Sequence, residues 1–395
     1  MRRMDSLHEL ALGPKPKEGG LTIVSGQEIS CAPSLSLSFS RPLDLALTLP
    51  PPSITTQVIK VGTSSLINPS AATLNLGNLA HVCEAARDLV ADGCRVVLVS
   101  SGAVGAGAAR MGLTSRPADL AAKQALAAIG QVHLMRYYDD FFGALRLPCA
   151  QVLLTLDNLA DRSQYECAAS TFTALADVGA IPVVNENDTV AVQEPRFGDN
   201  DTLAAHVATL VHADWLFLLT DVDGLYTANP AADPAAERIP VVEDLASLAV
   251  DTGGGGGSTG AGSRWGTGGM ATKLTAARIA TAAGCATAVL ATGAGAGRAM
   301  VDLISGDRST GTVFAAVPTP SRGRKRWIPA VPVKGTLRLD AGAAAAVRDR
   351  GKSLFAAGVV GVEGDFAAQD AVSLAGGAPD DPEFARAIIN YSADE

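Results

Sequence analysis

The sequence predicts an α/β protein with an open, mostly parallel sheet sandwiched by helices, followed by a small β-rich C-terminal domain. From residue 54 onward, short β-branched runs alternate with segments of helical periodicity, the pattern of a parallel sheet covered by helices. Polar residues or glycine directly follow most of these runs, as in doubly wound sheets that bind ligands at the carboxyl ends of their strands. Beyond residue 331 the pattern changes to short strands separated by glycines.

The predicted elements follow one another closely in the sequence. Strands are expected at 57–61, 95–99, 150–156, 181–184, 215–219 and 287–291. Helices are expected at 76–90, 163–178, 201–212 and 272–283, with a helical pair over about 117–145. The later segments VKGTLRL, VVGVEGDF and DAVSL predict the short strands of the second domain.

The domain boundaries are expected where the composition changes. Residues 1–53 are rich in Ser, Pro and Gly without sustained periodicity, which predicts a disordered N-terminal extension; their acidic residues argue against an organelle transit peptide. We expect the main domain at 54–320, a basic linker at 321–333 and the β-rich domain at 334–395.

Composition excludes several classes of function. The protein has 395 residues, 48% of them apolar, so it can bury a large core. A net charge of −9 argues against a nucleic-acid surface over the whole protein. The six cysteines and five histidines form no CxxC, zinc or HExxH pattern, and no apolar run reaches the roughly 18 residues of a membrane helix. We therefore expect a soluble, cytoplasmic protein.

The segment 181–201, IPVVNENDTVAVQEPRFGDND, carries the strongest functional signal. It begins as an apolar strand and then concentrates amides and carboxylates, which are poor core material. At the carboxyl end of a parallel strand such groups could bind the ammonium and carboxylate groups of an amino acid. The alternative is an exposed turn, because Asn, Asp and Gly favour turns.

Three other strand ends could hold an anionic ligand. Lys60 lies inside an apolar strand just before Gly62, so it needs a partner unless it lies on an exposed edge. Ser100 and Ser101 follow the second strand, although an ordinary strand-to-helix turn would look the same. Thr220 and Asp221 end the strand at 215–219.

A glycine-rich segment, GTGGMATK, leads into the helix at 272–283. Free N–H groups at a helix start, with Lys273 just inside, make an anion site. The alternative is the end of the flexible linker that begins with GGGGGSTGAG.

Two lysines, several carboxylates and glycine-rich loops favour phosphoryl transfer to an acceptor that is already anionic. The carboxylate of an acidic amino acid has a pKa of about 4.3 and needs no general base to attack. What the enzyme must supply is cations aimed at the transferring group and a fixed acceptor geometry.

The motifs also carry a resemblance to a known family. VIKVGTSS, VVLVSSGAVGAG, IPVVNENDTV, RFGDNDTL, LFLLTDVDGLYTANP and GTGGMATK, in this order, closely resemble the glutamate 5-kinases of the amino acid kinase family, over about residues 57–312. The β-rich tail resembles the PUA module. The resemblance implies the amino acid kinase fold and ATP-dependent phosphorylation of the γ-carboxylate of L-glutamate to L-glutamyl 5-phosphate, the first step of proline biosynthesis. It also implies Mg²⁺ carried on ATP, feedback inhibition by proline and a homo-oligomer.

The resemblance assigns roles by motif. Lys60 and Lys273 would stabilise the transferring phosphoryl group, and Asp201 would orient both lysines. The positions that match the glutamate site are Ser101, Asp188 and Asn200, with Asn185 and Asp199 as neighbours. The positions that match the nucleotide site are Lys60, Thr220, Asp221, Thr267, Gly268, Gly269, Met270, Ala271, Thr272 and Lys273.

Three alternatives differ from this interpretation. Another amino acid kinase, acting on aspartate or N-acetylglutamate, is disfavoured by the NEND and GDND motifs and by the PUA-like tail. RNA binding through that tail and the SRGRKR run is disfavoured by the net charge, and the tail stops where the family usually continues through a last strand, which predicts a shortened module. A silent regulator is disfavoured because every expected motif lysine and carboxylate is present.

Overall fold

A computed structural model describes most of the protein after residue 53. The described residues are 54–68, 73–113, 115–191, 200–228, 230, 233, 235–243, 245, 269–317, 333–350, 352, 354–367, 370–378, 381–389 and 391–393. The predicted extension 1–53, the linker 321–333 except its last residue, the glycine-rich insertion and the predicted site residues Asp199, Thr267 and Gly268 lie outside them.

The larger part of the described structure is built around one sheet. Its eight strands are, in sequence order, β1 (Thr56–Val61), β4 (Arg95–Ser100), β5 (Cys149–Leu154), β6 (Ile181–Glu186), β7 (Trp215–Thr220), β8 (Val241–Val242), β9 (Ala286–Ala291) and β10 (Thr312–Phe314). A short hairpin is formed by β2 (Ile67–Asn68) and β3 (Thr73–Leu74). The sheet order is β5–β6–β4–β1–β7–β9–β10–β8, and only the β10–β9 pairing is antiparallel. The prediction of a mostly parallel sheet is confirmed.

Helices cover both faces of this sheet. They are α1 (Thr63–Leu66), α2 (Leu76–Ala91), α3 (Ala103–Arg110), α4 (Leu120–Ala144), α5 (Leu156–Ala160), α6 (Arg162–Asp177), α7 (Asn200–Leu210), α8 (Met270–Ala282) and α9 (Ala296–Ile304). Alternate strand residues enter two separate cores: Ile59 and Val61 pack with α2, α3, α4 and α9, whereas Val58 packs with α7 and α8. By the same alternation Lys60 lies on the face of Val58.

The predicted helical pair at 117–145 is wrong, because the structure has one continuous helix there. Helix α4 begins after Asp119, whose side chain accepts a hydrogen bond from the N–H of Ala122 at 2.8 Å. Gly130 lies inside this continuous helix. Its lack of a side chain lets α3 approach closely. A Cβ added there would lie 1.8 Å from the carbonyl oxygen of Ala103.

The second part of the described structure is a four-stranded sheet. Its elements are β11 (Gly335–Leu339), α10 (Ala341–Arg348), β12 (Val359–Gly364), β13 (Ala371–Gly376) and β14 (Glu383–Ile388), with strand order β12–β11–β13–β14. Its own core includes Leu337, Leu339, Phe366, Val372 and Leu374. The predicted small β-rich domain is confirmed; its α10 and β14 were not predicted.

Candidate active site

The carboxyl ends of five neighbouring strands bring the predicted residues to one edge of the sheet. Register pairs align the ends of β6, β4, β1, β7 and β9. In the order of the strands across the sheet, the residues at or next to these ends are Asn185, Ser101, Lys60, Thr220 and Thr292. The acidic and amide residues lie on one side of Lys60 and the predicted nucleotide residues on the other.

Asp201, in the first turn of α7, binds both predicted lysines. Its Oδ1 forms an ion pair with the Nζ of Lys60, and its Oδ2 lies 3.4 Å from the Nζ of Lys273. The three residues are 1%, 4% and 6% exposed, in the order Asp201, Lys60, Lys273. Lys60 is therefore not the exposed edge residue of the alternative interpretation, because β1 is an inner strand and the lysine is buried and paired.

The charges of this cluster shift two pKa values. Burial by itself would raise the pKa of Asp201, but the two lysines and the hydrogen bond from Thr272 outweigh it and lower the pKa to about 2. Burial lowers the pKa of Lys273, and the negative charges of Asp201 and Asp221 oppose that shift. The cluster thus holds Asp201 ionised at neutral pH between two buried amines.

The start of α8 supplies a second positive feature next to the lysines. Gly269 precedes the helix and offers no capping group, and a Cβ at Gly269 would meet no atom within 4 Å. The Oγ1 of Thr272 donates to Asp201 Oδ2 or to the carbonyl of Gly269, each at 2.8 Å. Among the described residues no side chain caps the start of α8, so its first N–H groups, at Met270 and Ala271, can face an anion.

Hydroxyl groups line the strand ends next to α8. The Oγ1 of Thr220 donates to Asp221 Oδ1 at 2.9 Å. Thr292, which follows β9, donates to the carbonyl of Thr220 at 3.0 Å and lies 2.8 Å from the hydroxyl of Ser65. Ser65 and Thr292 were not predicted as site residues; their positions directly after β1 and β9 are the signal that was missed.

Three polar residues on the other side of Lys60 form the candidate acceptor site. Asn185 is 1%, Asp188 8% and Asn200 6% exposed. The Nδ2 of Asn200 donates to Asn185 Oδ1 at 3.4 Å. The alternative of an exposed turn is therefore wrong as to exposure, because all three residues are buried. Asp188 does lie in a turn, which the N–H of Val190 closes by donating to the carbonyl of Asn187 at 3.1 Å.

Asp188 has an unusual pKa. Burial and the nearby Glu186 raise its pKa to about 7, and Arg116 partly opposes that shift. Arg116 itself has its pKa lowered by burial. Such a carboxyl group gains most from a cationic ligand group, because a nearby positive charge favours its ionised form.

Ser101 is held in place by the end of β4. Its side chain is buried, and its backbone N–H donates to the carbonyl of Val61 at 3.1 Å. The preceding Ser100 shares a 2.8 Å hydrogen bond with the buried hydroxyl of Tyr138 on α4. Sequence patterns did not indicate Tyr138, because an aromatic residue at helical spacing looks like ordinary core.

The described residues hold neither a metal-ligating cluster nor a membrane-spanning helix. They contain no group of three or more His, Cys, Asp or Glu side chains that could hold a metal ion. None of the described helices is both long and apolar enough to cross a membrane.

Known proteins resemble this chain over both parts. The sequence model of the amino acid kinase family matches residues 55–291, and that of the PUA domain matches residues 335–395. Glutamate 5-kinase of Synechocystis sp. is 51% identical over 344 residues, which cover 86% of this chain and 88% of that protein. Glutamate 5-kinase of Thermosynechococcus vestitus is 52% identical over 345 residues, covering 86% of this chain and 90% of the relative.

One solved structure with a similar fold has a lower sequence identity to this chain. A carbamate kinase from Giardia lamblia bound to AMP-PNP has 19% sequence identity and a TM-score of 0.46, over 67% of this chain and 99% of that protein. The family itself is established by the matches in sequence. With its kinase-family segment, its PUA segment and relatives about half identical over most of their length, the chain belongs to the glutamate 5-kinases of the amino acid kinase family.

Proposed function

We propose that this protein transfers the γ-phosphoryl group of ATP to the γ-carboxylate of L-glutamate, giving L-glutamyl 5-phosphate, the first step of proline biosynthesis. The observation that carries the proposal is the position of Asp201. It binds both buried lysines between an acid and amide cluster on one side and the open start of α8 on the other. Its relatives named glutamate 5-kinase support the identity of the acceptor.

The acceptor needs orientation more than activation. A carboxylate with a pKa of about 4.3 is ionised at neutral pH, so no general base is required. The barrier comes from bringing this anion toward a negatively charged phosphoryl group. Lys60 and Lys273 would lower it by stabilising charge on the transferring group, while Asp201 keeps both amines in position.

Residues on the two sides of Lys60 would bind different substrates. Asp188 and Asn200 would hold the amino acid, with Ser101 and Asn185 beside them and Asp199 as a further neighbour. Thr220, Asp221 and the segment from Thr267 to Lys273 would hold the nucleotide. The uncapped N–H groups at the start of α8 fit phosphate oxygens, which is the observation that supports ATP here.

Magnesium would enter on the ATP phosphates. When bound, it supplies further neutralisation of phosphate charge. The protein's own residues would then bind the nucleotide, orient the acceptor and keep the two lysines facing the transferring group.

Several consequences of the family resemblance stay predictions. They are competitive inhibition by proline at the glutamate site, assembly into a homo-oligomer and a cytoplasmic location. RNA binding through the PUA domain stays the disfavoured alternative. The domain boundaries 54–320, 321–333 and 334–395 are likewise proposals.

A direct assay tests the activity. The intact protein is incubated with Mg-ATP and L-glutamate, ADP release is measured, and the acyl phosphate is trapped as hydroxamate by hydroxylamine. L-Aspartate and N-acetylglutamate serve as competing acceptors. We expect glutamate-dependent ADP and hydroxamate in equal amounts; faster turnover of either other acid, or ADP without hydroxamate, would refute the proposal.

A further inference from the structure

The amide of Asn185 has only one orientation compatible with its surroundings. The backbone N–H of Glu186 lies 2.9 Å from Asn185 Oδ1, and a backbone N–H can only donate. The oxygen of the Asn185 amide must therefore face Glu186. Rotating the amide by half a turn would place the Nδ2 of Asn185, a donor, against the backbone N–H of Glu186, which is also a donor.

This orientation requires a hydrogen-bond acceptor on the opposite side of Asn185. The Nδ2 of Asn185 donates to Oε1 of Gln131 at 2.8 Å. Gln131 lies on α4, and Gln124, seven residues earlier on the same helix, donates to the carbonyl of Ala191 at 3.1 Å. Helix α4 thus contacts both the beginning and the end of the acceptor loop 185–191.

The same orientation determines how Asn200 is presented. Asn185 Oδ1 accepts from Asn200 Nδ2, so the donor end of the Asn200 amide is used inside the protein. Its Oδ1 is buried and has no hydrogen-bond partner among the described residues. A buried acceptor of this kind is stabilised by a ligand that brings a hydrogen-bond donor.

We propose that Gln131 is a positioning residue that, together with the backbone N–H of Glu186, sets substrate specificity by fixing the polarity of the relay Gln131–Asn185–Asn200. The relay presents Asn200 as an acceptor and so favours an acid bearing an ammonium group over the same acid without one. The inference rests on the proposed function, because it takes the bound acid to be L-glutamate. Gln131 itself need not contact the substrate.

The experiment compares two ligands that differ only in the ammonium group. Affinities of the intact protein for L-glutamate and for glutarate are measured by titration calorimetry in the presence of a non-hydrolysable ATP analogue. The variants are Gln131→Met, which has similar length but only a weakly accepting sulfur, and Gln131→Glu, which keeps an acceptor oxygen. Thermal unfolding checks that each variant is folded.

We expect Gln131→Met to weaken L-glutamate binding about tenfold, the effect of roughly one net hydrogen bond, with glutarate binding within about twofold of wild type. Gln131→Glu should keep L-glutamate binding within about threefold of wild type. Equal weakening of both ligands by Gln131→Met, or no weakening of either, would overturn the inference. If glutarate binds too weakly to measure, the affinities of the two variants for L-glutamate decide. The inference then requires that Gln131→Met bind L-glutamate more weakly than Gln131→Glu does.

Two further outcomes separate this inference from the proposed function. If Gln131→Met is unfolded, Gln131→Lys replaces it, because it offers Asn185 only a donor and should also weaken L-glutamate binding. If wild-type protein binds L-glutamate but forms no hydroxamate, the proposed reaction fails while the calorimetry still tests Gln131. If wild-type protein does not bind L-glutamate, both fail.

Discussion

The Nζ of Lys273 lies 3.4 Å from Oδ2 of Asp201, although 72 residues separate them and both side chains are buried. Lys60 occupies the other carboxylate oxygen. A single buried carboxylate between two amines leaves a net positive cluster when all three groups are charged. That charge lies where the proposed acceptor residues and the proposed nucleotide residues meet, an arrangement that suits the proposed phosphoryl transfer.

The first prediction concerns the two lysines. Lys60→Ala or Lys273→Ala should lower kcat for glutamate-dependent ADP release by about 10²- to 10³-fold or more, because each removes a preorganised charge from the transferring group. Arg278→Ala, an exposed cation on the same helix as Lys273, should leave kcat unchanged. Unchanged turnover in both lysine variants, with the fold intact by circular dichroism, would refute their assigned roles.

The second prediction concerns stability and acid. Asp201→Asn leaves two buried amines without their carboxylate and should lower the free energy of unfolding at pH 7 by about 3–5 kcal/mol. Because the pKa of Asp201 falls from 3.8 to about 2 on folding, its contribution is complete above pH 3.8 and is lost as the pH drops toward about 2. The difference in the free energy of unfolding between wild type and Asp201→Asn should therefore narrow by about 2 kcal/mol over that pH range.

Urea unfolding at pH 7 and at pH 2–4 measures this gap. Asp140→Asn is the matched control, since Asp140 forms an exposed ion pair with Arg136 on α4. Its effect should stay below about 0.5 kcal/mol at any pH. A pH-independent gap for Asp201→Asn would show that the carboxylate charge is not what stabilises the cluster.

The third prediction concerns the pH dependence of substrate use. Burial and Glu186 raise the pKa of Asp188 to about 7, so below that pH the free protein holds Asp188 protonated. Its charged form should bind the ammonium of glutamate, so kcat/KM for L-glutamate should fall about tenfold per pH unit below about 7. Rates measured from pH 5.5 to 9 test this.

Two variants sharpen the pH experiment. Asp188→Asn should raise KM for L-glutamate and abolish the acidic limb near pH 7, while KM for ATP stays close to wild type. Asp188→Ala should likewise weaken mainly glutamate use. An acidic limb that survives in Asp188→Asn would assign the titration to another group.

The fourth prediction uses two glycines of the same helix. Gly130→Ala should destabilise the protein by about 1–3 kcal/mol or more, since the added Cβ would lie 1.8 Å from the backbone of α3. Gly143→Ala meets no atom within 4 Å and should raise stability by about 0.5–1 kcal/mol through its better helix propensity. Equal effects in urea unfolding would contradict the close contact of α3 and α4.

Much of the main sheet could be predicted from sequence. The six predicted strands appear within two residues of their expected bounds, because buried parallel strands are short β-branched runs bounded by polar residues. Helix α3 was not predicted, because AVGAGAAR lacks large apolar residues at helical spacing. Its small residues make sense only against α4, where backbone contact replaces side-chain packing. The three-residue strand β10 is too short to give a periodic signal.

The candidate site, like the fold, could be predicted only in part from the sequence. The motif residues and the sheet edge at which they gather follow from the sequence, since the carboxyl ends of parallel strands meet on one side. Gln131 and Tyr138 could not be predicted, because each contributes one hydrogen bond from a helix far in sequence from its partner.

The sequence by itself determined the alternating strands and helices, the glycine-rich helix start and the acids and amides that follow β6, because these depend on local periodicity and residue chemistry. Only the tertiary structure decided that Asp201 binds both lysines and that Asn185 is oriented by Gln131 and Glu186. It also decided that burial raises the pKa of Asp188. These properties depend on distances and desolvation between segments distant in sequence, and no local pattern contains either quantity.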